Sequence, residues 1–382
     1  MEFILKGYSQ TPYTISQPER IRTPRLVVFK DRVERNIVKM RDLLQRINPS
    51  YGMAMLCPHA KTHKSQWVTR QLMEAGVTYF KATPNEVELL AGAGAKKIFV
   101  AYPLLATEVE ELLYQVKGKQ VQLVAQVGHA KHVEALVAAA KKFNHKWSYY
   151  IDVDIGMHRT GVAPEDALSL YEQCVQHTEM HHFSGLHGYD GHNSFPDLSE
   201  RRTEAARSMR TLLHVMERFG ISDIKIPEIM VGGTPSFTFD LEFLSAHKLA
   251  SQVLVSPGTW IYSDTHSCSL LPDGFDIAAC ILAQVIDRPT EKSATLNLGH
   301  KRWAMDHGAV EAYSVEKMNT VKSSEEHTLV SVPKGKKIDI GDYILIAPRH
   351  ACSTVNLWEY HVLIDEQGRI ADPYCPIEGR NR

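Results

Sequence analysis

The chain has 382 residues, 44% hydrophobic and 23% charged, which describes a globular protein long enough for two domains. Its 43 Lys and Arg against 44 Asp and Glu leave a net charge of −1, so nothing favours a polyanionic partner, and no nucleic acid is expected. No apolar run approaches the roughly 20 residues of a membrane span, so no membrane partner is expected either. The N-terminus Met1-Glu2-Phe3-Ile4 has no basic-then-apolar signal segment. Cysteines at 57, 174, 268, 280, 352 and 375 show no pairing pattern and predict reduced thiols in a cytoplasmic protein.

In chain order, residues 25–29 read as a strand and 31–44 as a helix, apolar at Val33, Ile37, Met40 and Leu44. A second strand, 52–56, runs into Cys57-Pro58-His59-Ala60-Lys61-Thr62-His63-Lys64, with 66–75 as the next helix. Alternation then continues. Strand 77–80 precedes helix 84–91, 97–102 precedes 108–116, 121–126 precedes 130–142, and 147–154 precedes 164–176. Strand 182–187 precedes the long helix 198–219, and strand 228–231 leads into Gly232-Gly233. About eight strand–helix units in roughly 240 residues predict a (β/α)8 TIM barrel rather than an open doubly wound sheet. From Leu270 onward the pattern changes to short β-rich runs at 278–286, 295–298, 310–314, 343–347 and 360–364, separated by Gly, Pro and charged turns. The expected division is an N-terminal segment 1–24 joining the β domain, a barrel over 25–265 and a C-terminal all-β domain over 266–382.

In a barrel, chemistry gathers where strands end. Lys61 lies just past such an end. A solvated loop lysine is the ordinary reading of such a residue, but other polar clusters fall at strand ends too. These are Asp152-Val153-Asp154-Ile155-Gly156-Met157-His158-Arg159-Thr160-Gly161, Gly188-Tyr189-Asp190-Gly191-His192, Gly232-Gly233-Thr234-Pro235-Ser236 and Pro257-Gly258-Thr259. The last two offer backbone N–H and hydroxyl groups to a phosphate above the late strands. A phosphate anchor with an imine-forming lysine points to pyridoxal 5′-phosphate. Near the C-terminus, His350-Ala351-Cys352 is a two-ligand metal signal. In an extended segment residues i and i+2 share a face, and two protein ligands make sense where water and substrate complete the shell.

These motifs resemble, in the same order and over almost the whole chain, the fold-type III pyridoxal-phosphate enzymes, specifically the D-threonine aldolase/D-serine dehydratase-like family. Thr23-Pro24-Arg25-Leu26 with Asn36, the Pro58–Lys64 run, Asp154-x-Gly156-x-x-Arg159-x-Gly161-Val162, Tyr189-x-Gly191-His192, Gly232-Gly233-Thr234-Pro235, Pro257-Gly258-Thr259 and His350-x-Cys352 carry the resemblance. It implies that Lys61 carries the cofactor and moves the α-proton, and that Arg159 and Tyr189 approach the ring or its 3′-oxygen. It also implies that Gly233, Thr234, Gly258 and Thr259 hold the phosphate, and that His350 and Cys352 hold a divalent metal, expected to be zinc. The substrate it implies is a small D-amino acid with a β-hydroxyl, and the assembly a homodimer. Relatives that dehydrate carry His-x-Cys, whereas D-threonine aldolases carry His-x-Asp, so Cys352 tilts the expectation toward elimination. The Tyr189–His192 and Glu325–His327 runs resemble aldolases instead. Alanine racemases place an arginine where Ser256 stands and a tyrosine within the stretch 268–300, which here has none; both differences argue against a racemase. A non-catalytic carrier of the cofactor would have neither a C-terminal β domain nor a metal pair.

Overall fold

The structure, a computed structural model, describes residues 1–249, 252–271, 274–306 and 312–380. It forms two units. One comprises Met1–Met40, Thr62–Val68 and Thr259–Arg380, and the other Arg41–Lys61 and Thr69–Gly258.

The second unit is a parallel barrel. Seven strands follow one another in sequence and in space: Phe80–Ala82, Lys97–Pro103, Gln122–Val127, Ser148–Asp152, His182–Gly188, Glu228–Val231 and Val253–Val255. The eighth stave is the segment 56–59, too irregular to count as a strand. Leu56 pairs in parallel with Val255 and His59 with Lys81. The Cys57 amide donates to the Val255 carbonyl at 2.8 Å, and the Lys81 amide to the Pro58 carbonyl at 3.0 Å. Pro58 has no N–H to give, so a continuous ladder cannot form across this stave. Cys57, Tyr79, Phe99, Val124, Tyr150 and Met230 form a buried apolar cluster. At the strands' starting ends, Glu228 receives the Tyr150 hydroxyl and the Lys97 ammonium. The outer helices start on local signals. Thr83 and Glu86 make a capping box before Pro84–Ala93, and Asp197 caps Leu198–Ile221 through two backbone amides.

The other unit is built on a nine-stranded sheet. Its main order runs Thr320–Ser323, Thr328–Ser331, Ser293–Leu296, Ala279–Thr290, Arg25–Phe29, Tyr360–Ile364, Ile370–Pro376. Tyr343–Ala347 pairs with Ala279–Thr290 and with Ala312–Tyr313. The hairpin of Glu2–Phe3 and Tyr13–Thr14 belongs to this unit, with Phe3, Leu5, Tyr13 and Ile15 in its core.

Residues 25–29, expected as the first barrel strand, instead pair antiparallel with Ala279–Thr290 and parallel with Tyr360–Ile364. Their burial on every side (Leu26, Val27 and Val28 are all 0% exposed) suits the centre of either sheet, so local pattern cannot choose. The eighth barrel place is taken by Val253–Val255, three residues too short to stand out. Residues 52–56 are a 3-10 turn at Met53–Met55 rather than a strand. Of the expected run 310–314, residues 310 and 311 lie outside the described residues, as do 272–273 beside the expected domain boundary. No described helix is long and apolar enough to cross a membrane, and all six cysteines are free thiols.

Candidate active site

Lys61 sits in the 3-10 turn Ala60–Thr62, directly after the eighth stave, and is half-buried. His59 Nδ1 accepts the Lys61 amide at 3.2 Å and so holds the turn from inside.

Around the same barrel mouth, Tyr189 follows the strand His182–Gly188. A side chain at Gly191 would meet the Tyr189 ring at 2.3 Å, and one at Gly233 would touch it at 3.5 Å, so both glycines leave room for that ring. Arg159 is presented by a loop that Asp154 ties together. One Asp154 oxygen accepts the Gly156 and His158 amides at 3.0 Å each, and the other faces His158 Nδ1 at 2.8 Å. Val162 closes the loop by pairing with Val153. The exposed guanidinium of Arg159 stands 5.2 Å from the Tyr189 ring centre.

The turn after Glu228–Val231 is a cradle only glycine can line. Gly232 has φ of +80°, and a Cβ there would lie 2.8 Å from Phe237 Cβ and 3.0 Å from Asp240 Oδ2. The Gly233 amide donates to Ser236 Oγ at 3.2 Å, and Ser236 donates to Asp190 at 2.9 Å. Thr234 is buried beside them. Burial raises the carboxyl of Asp190, and burial with Asp190 as neighbour raises that of Asp240 well above the ordinary range. Gly258 ends the barrel unit; Thr259 opens a short 3-10 turn in the other.

A chain of buried polar side chains crosses the barrel interior. Gln126 Nε2 donates to Asp152 Oδ2 at 2.6 Å, and Asp152 Oδ1 faces His187 Nδ1 at 2.6 Å. His187 Nε2 faces Lys81 Nζ at 2.9 Å, and Lys81 donates to Ser256 Oγ at 3.0 Å. The Lys81 amine also stands 5.0 Å from the Tyr189 ring centre. Burial, and then Lys81, pull the His187 imidazole down to about 4, so it is neutral. Sequence reading passed over Lys81, Gln126 and His187. For Lys81 the signal was present, since it is a polar residue between Phe80 and Ala82 in an otherwise apolar strand, which in a closed barrel means it points inward.

His350 and Cys352 lie in the β unit, and the structure corrects the expected geometry. They do not share the face of an extended segment. His350 is the N-cap of a short helix, Ala351–Asn356, and Cys352 is its second residue. The Cys352 thiol, 8% exposed, lies 3.1 Å from Thr62 Oγ1 and 3.8 Å from Thr259 Oγ1. Asp306 Oδ2 faces His350 Nδ1 at 2.6 Å. Burial pulls the imidazole down, but Cys352 and Asp306 outweigh it and hold it up at about 9. Among the described residues no group of three or more His, Cys, Asp or Glu is placed to hold a metal.

These residues fit the expected groups. The glycine cradle has the form of an oxyanion site, and Lys61 offers an amine at a barrel mouth. The His–Cys donor pair suits a borderline ion whose remaining positions go to water or substrate. Asn297 bridges the Gln284 amide and Thr23 within the sheet unit. Glu326 pairs with Lys301 on an exposed turn at 2.9 Å.

Residues 28–266 match the family model "Alanine racemase, N-terminal domain", and residues 278–364 match "Putative serine dehydratase domain". The chain is 24% identical to the 3-hydroxy-D-aspartate aldolase of Paracoccus denitrificans (strain Pd 1222), over 98% of this chain and 96% of that protein. It is 23% identical to the D-serine dehydratase of Dictyostelium discoideum, over 93% and 96%. The crystal structure of D-threonine aldolase from Filomicrobium marinum superposes with a TM-score of 0.86 at 22% identity, covering 97% of this chain and 99% of that one. This last likeness establishes the fold, a TIM barrel with a C-terminal β domain.

Proposed function

The chain belongs to the alanine racemase N-terminal domain family of fold-type III pyridoxal-phosphate enzymes, and from that premise we propose that it is a pyridoxal-phosphate- and divalent-metal-dependent lyase of D-3-hydroxy amino acids. Its favoured reaction is elimination of the D-serine dehydratase type, giving a keto acid and ammonia. The observation that carries this choice is the buried thiol of Cys352 beside His350, the donor pair that resembles the dehydratases. Retro-aldol cleavage to glycine and an aldehyde is the second reading, favoured by the aldolase activity named for the Paracoccus relative and by the Tyr189–His192 run.

In this proposal Lys61 holds the cofactor covalently, Gly233, Thr234, Gly258 and Thr259 hold its phosphate, and Arg159 and Tyr189 flank its ring. The cofactor's chemistry is that of an electron sink for charge at Cα. That of a divalent ion, proposed as zinc, on His350 and Cys352 is Lewis-acid activation of the β-oxygen. The residues do the rest. The Lys61 amine would take the Cα proton. Arg159 adds positive charge beside Tyr189. Ser256, where racemases carry arginine, instead accepts a hydrogen bond from Lys81, which supports a lyase over a racemase. The resemblance further supports a homodimer, and the six free cysteines a cytoplasmic location.

Purified protein assayed on D-serine, D-threonine and D-3-hydroxyaspartate, with and without chelator, tests this reading. Ammonia and keto acid are the expected products. Glycine and aldehyde would move it to the second reading. A yellow absorption band that never forms with pyridoxal phosphate, or that survives Lys61→Ala, would end both. Turnover that persists after chelation or in Cys352→Ala would remove the metal from it.

A further inference from the structure

The barrel unit holds an amine that the reaction above does not use. Lys81 is 3% exposed, and its two hydrogen-bond partners, His187 Nε2 and Ser256 Oγ, are both neutral. The ends of the network fix its protons. Asp152 can only accept, so the imidazole proton lies on His187 Nδ1 and Nε2 offers a lone pair to the lysine. Ser256 Oγ reaches the Gly232 carbonyl at 3.1 Å, so its own proton points there and Oγ accepts from Lys81. Two positions on Nζ are therefore committed N–H bonds. The third holds either a proton or a lone pair.

Which of the two depends on the field around it. Burial is the largest influence and pulls the amine down to about 7; the cations Lys61 and Arg159 push the same way, while Asp152 opposes them. Cys57 also faces it, but burial raises that thiol so far that it is uncharged at neutral pH. At about pH 8 the cofactor-free protein therefore keeps a lone pair at the third position in most molecules. A phosphate monoester entering the barrel brings close to two negative charges, and the Tyr189 ring 5.0 Å away also favours a cation on Lys81.

We propose that Lys81 is a positioning residue that takes up a proton from solvent when the phosphate-bearing aldehyde binds, so that cofactor loading and the charging of this buried amine are one event. No bond breaks in the step. The Nζ lone pair accepts the proton, and the ammonium then supplies three N–H donors. The inference rests on the reading of Lys61 as the cofactor lysine.

Calorimetric titration of the cofactor-stripped enzyme with pyridoxal phosphate, in two buffers of different ionisation enthalpy, measures it directly. At pH 8 the wild type should take up on the order of half to one proton more per site than Lys81→Met. That excess should fade as the pH is lowered through 7, where the amine is already charged. Ser256→Ala keeps the amine but removes an acceptor that favours its charged form, so the excess should persist to lower pH. This second variant covers the case in which Lys81→Met fails to fold. Equal uptake in wild type and Lys81→Met, or an unshifted profile in Ser256→Ala, overturns the inference when the yellow band forms in all of them. Failure of the wild type to form that band overturns instead the cofactor reading on which it rests.

Discussion

Asp306 holds His350 through Nδ1 at 2.6 Å, which leaves Nε2 as the nitrogen able to bind a metal. A carboxylate in that position fixes the ring and raises its basicity. Asp306→Ala should therefore weaken zinc binding by about 10- to 100-fold while leaving the pyridoxal-phosphate absorption band intact. Equal zinc affinity measured by competition with a chelating dye would show that Asp306 has no such role. The proposed ligand pair was named from residue types alone, and its geometry was not legible in them. His350 caps a helix because the Asp264 carboxylate takes the Ala351 amide at 2.8 Å, a contact across 87 positions that no local pattern announces. Lys81 shows the opposite failure. Its partners are remote, but a lone lysine between Phe80 and Ala82 was itself a readable anomaly.

Among elements, the strand count came out at eight although one strand was assigned to the wrong sheet. Alternation of strand and helix is a strong local signal, whereas membership of a sheet is settled by partners such as Ala279–Thr290, which arrive some 250 positions later. The stave ahead of Lys61 was read as ending at Leu56, because Pro58 interrupts the pattern that marks a strand. The glycine turn after Glu228–Val231 was placed at a strand end, where the structure has it, since a positive φ calls for glycine. Gly232→Ala should destabilise the protein by about 1 kcal/mol or more, because alanine resists a positive φ and its Cβ would press on Phe237 at 2.8 Å. The same change should weaken retention of pyridoxal phosphate more than of unphosphorylated pyridoxal. A melting temperature and cofactor affinity equal to wild type would contradict the cradle.

For the whole molecule, acid is the expected weakness. His187 in the barrel unit is held at about 4, and His63 and His361 in the sheet unit at about 3, burial being the largest cause in each. All three lie below the ordinary 6.5, so the unfolded chain binds protons that the folded chain refuses. Their stabilisation is complete above pH 6.5 and drains away as the pH falls toward 4, by up to about 1.4 kcal/mol per pH unit for each histidine. Melting curves from pH 8 to 5 should show this loss, and His361→Met should make the decline shallower; an unchanged slope would mean that His361 titrates normally. The two-part architecture was legible because barrel and sheet obey different periodicities, while the assignment of segments to units depends on packing that composition does not encode. The barrel's ring is closed at 56–59 by single pairings, Leu56 with Val255 and His59 with Lys81, rather than by a full ladder. The wall that ends in Lys61 is thus the loosest seam, and amide deuteration should reach Cys57 and Lys81 ahead of the neighbouring strands. A vitamer clasped at Lys61 and at Gly233 would rivet that seam, slowing exchange there before any substrate arrives.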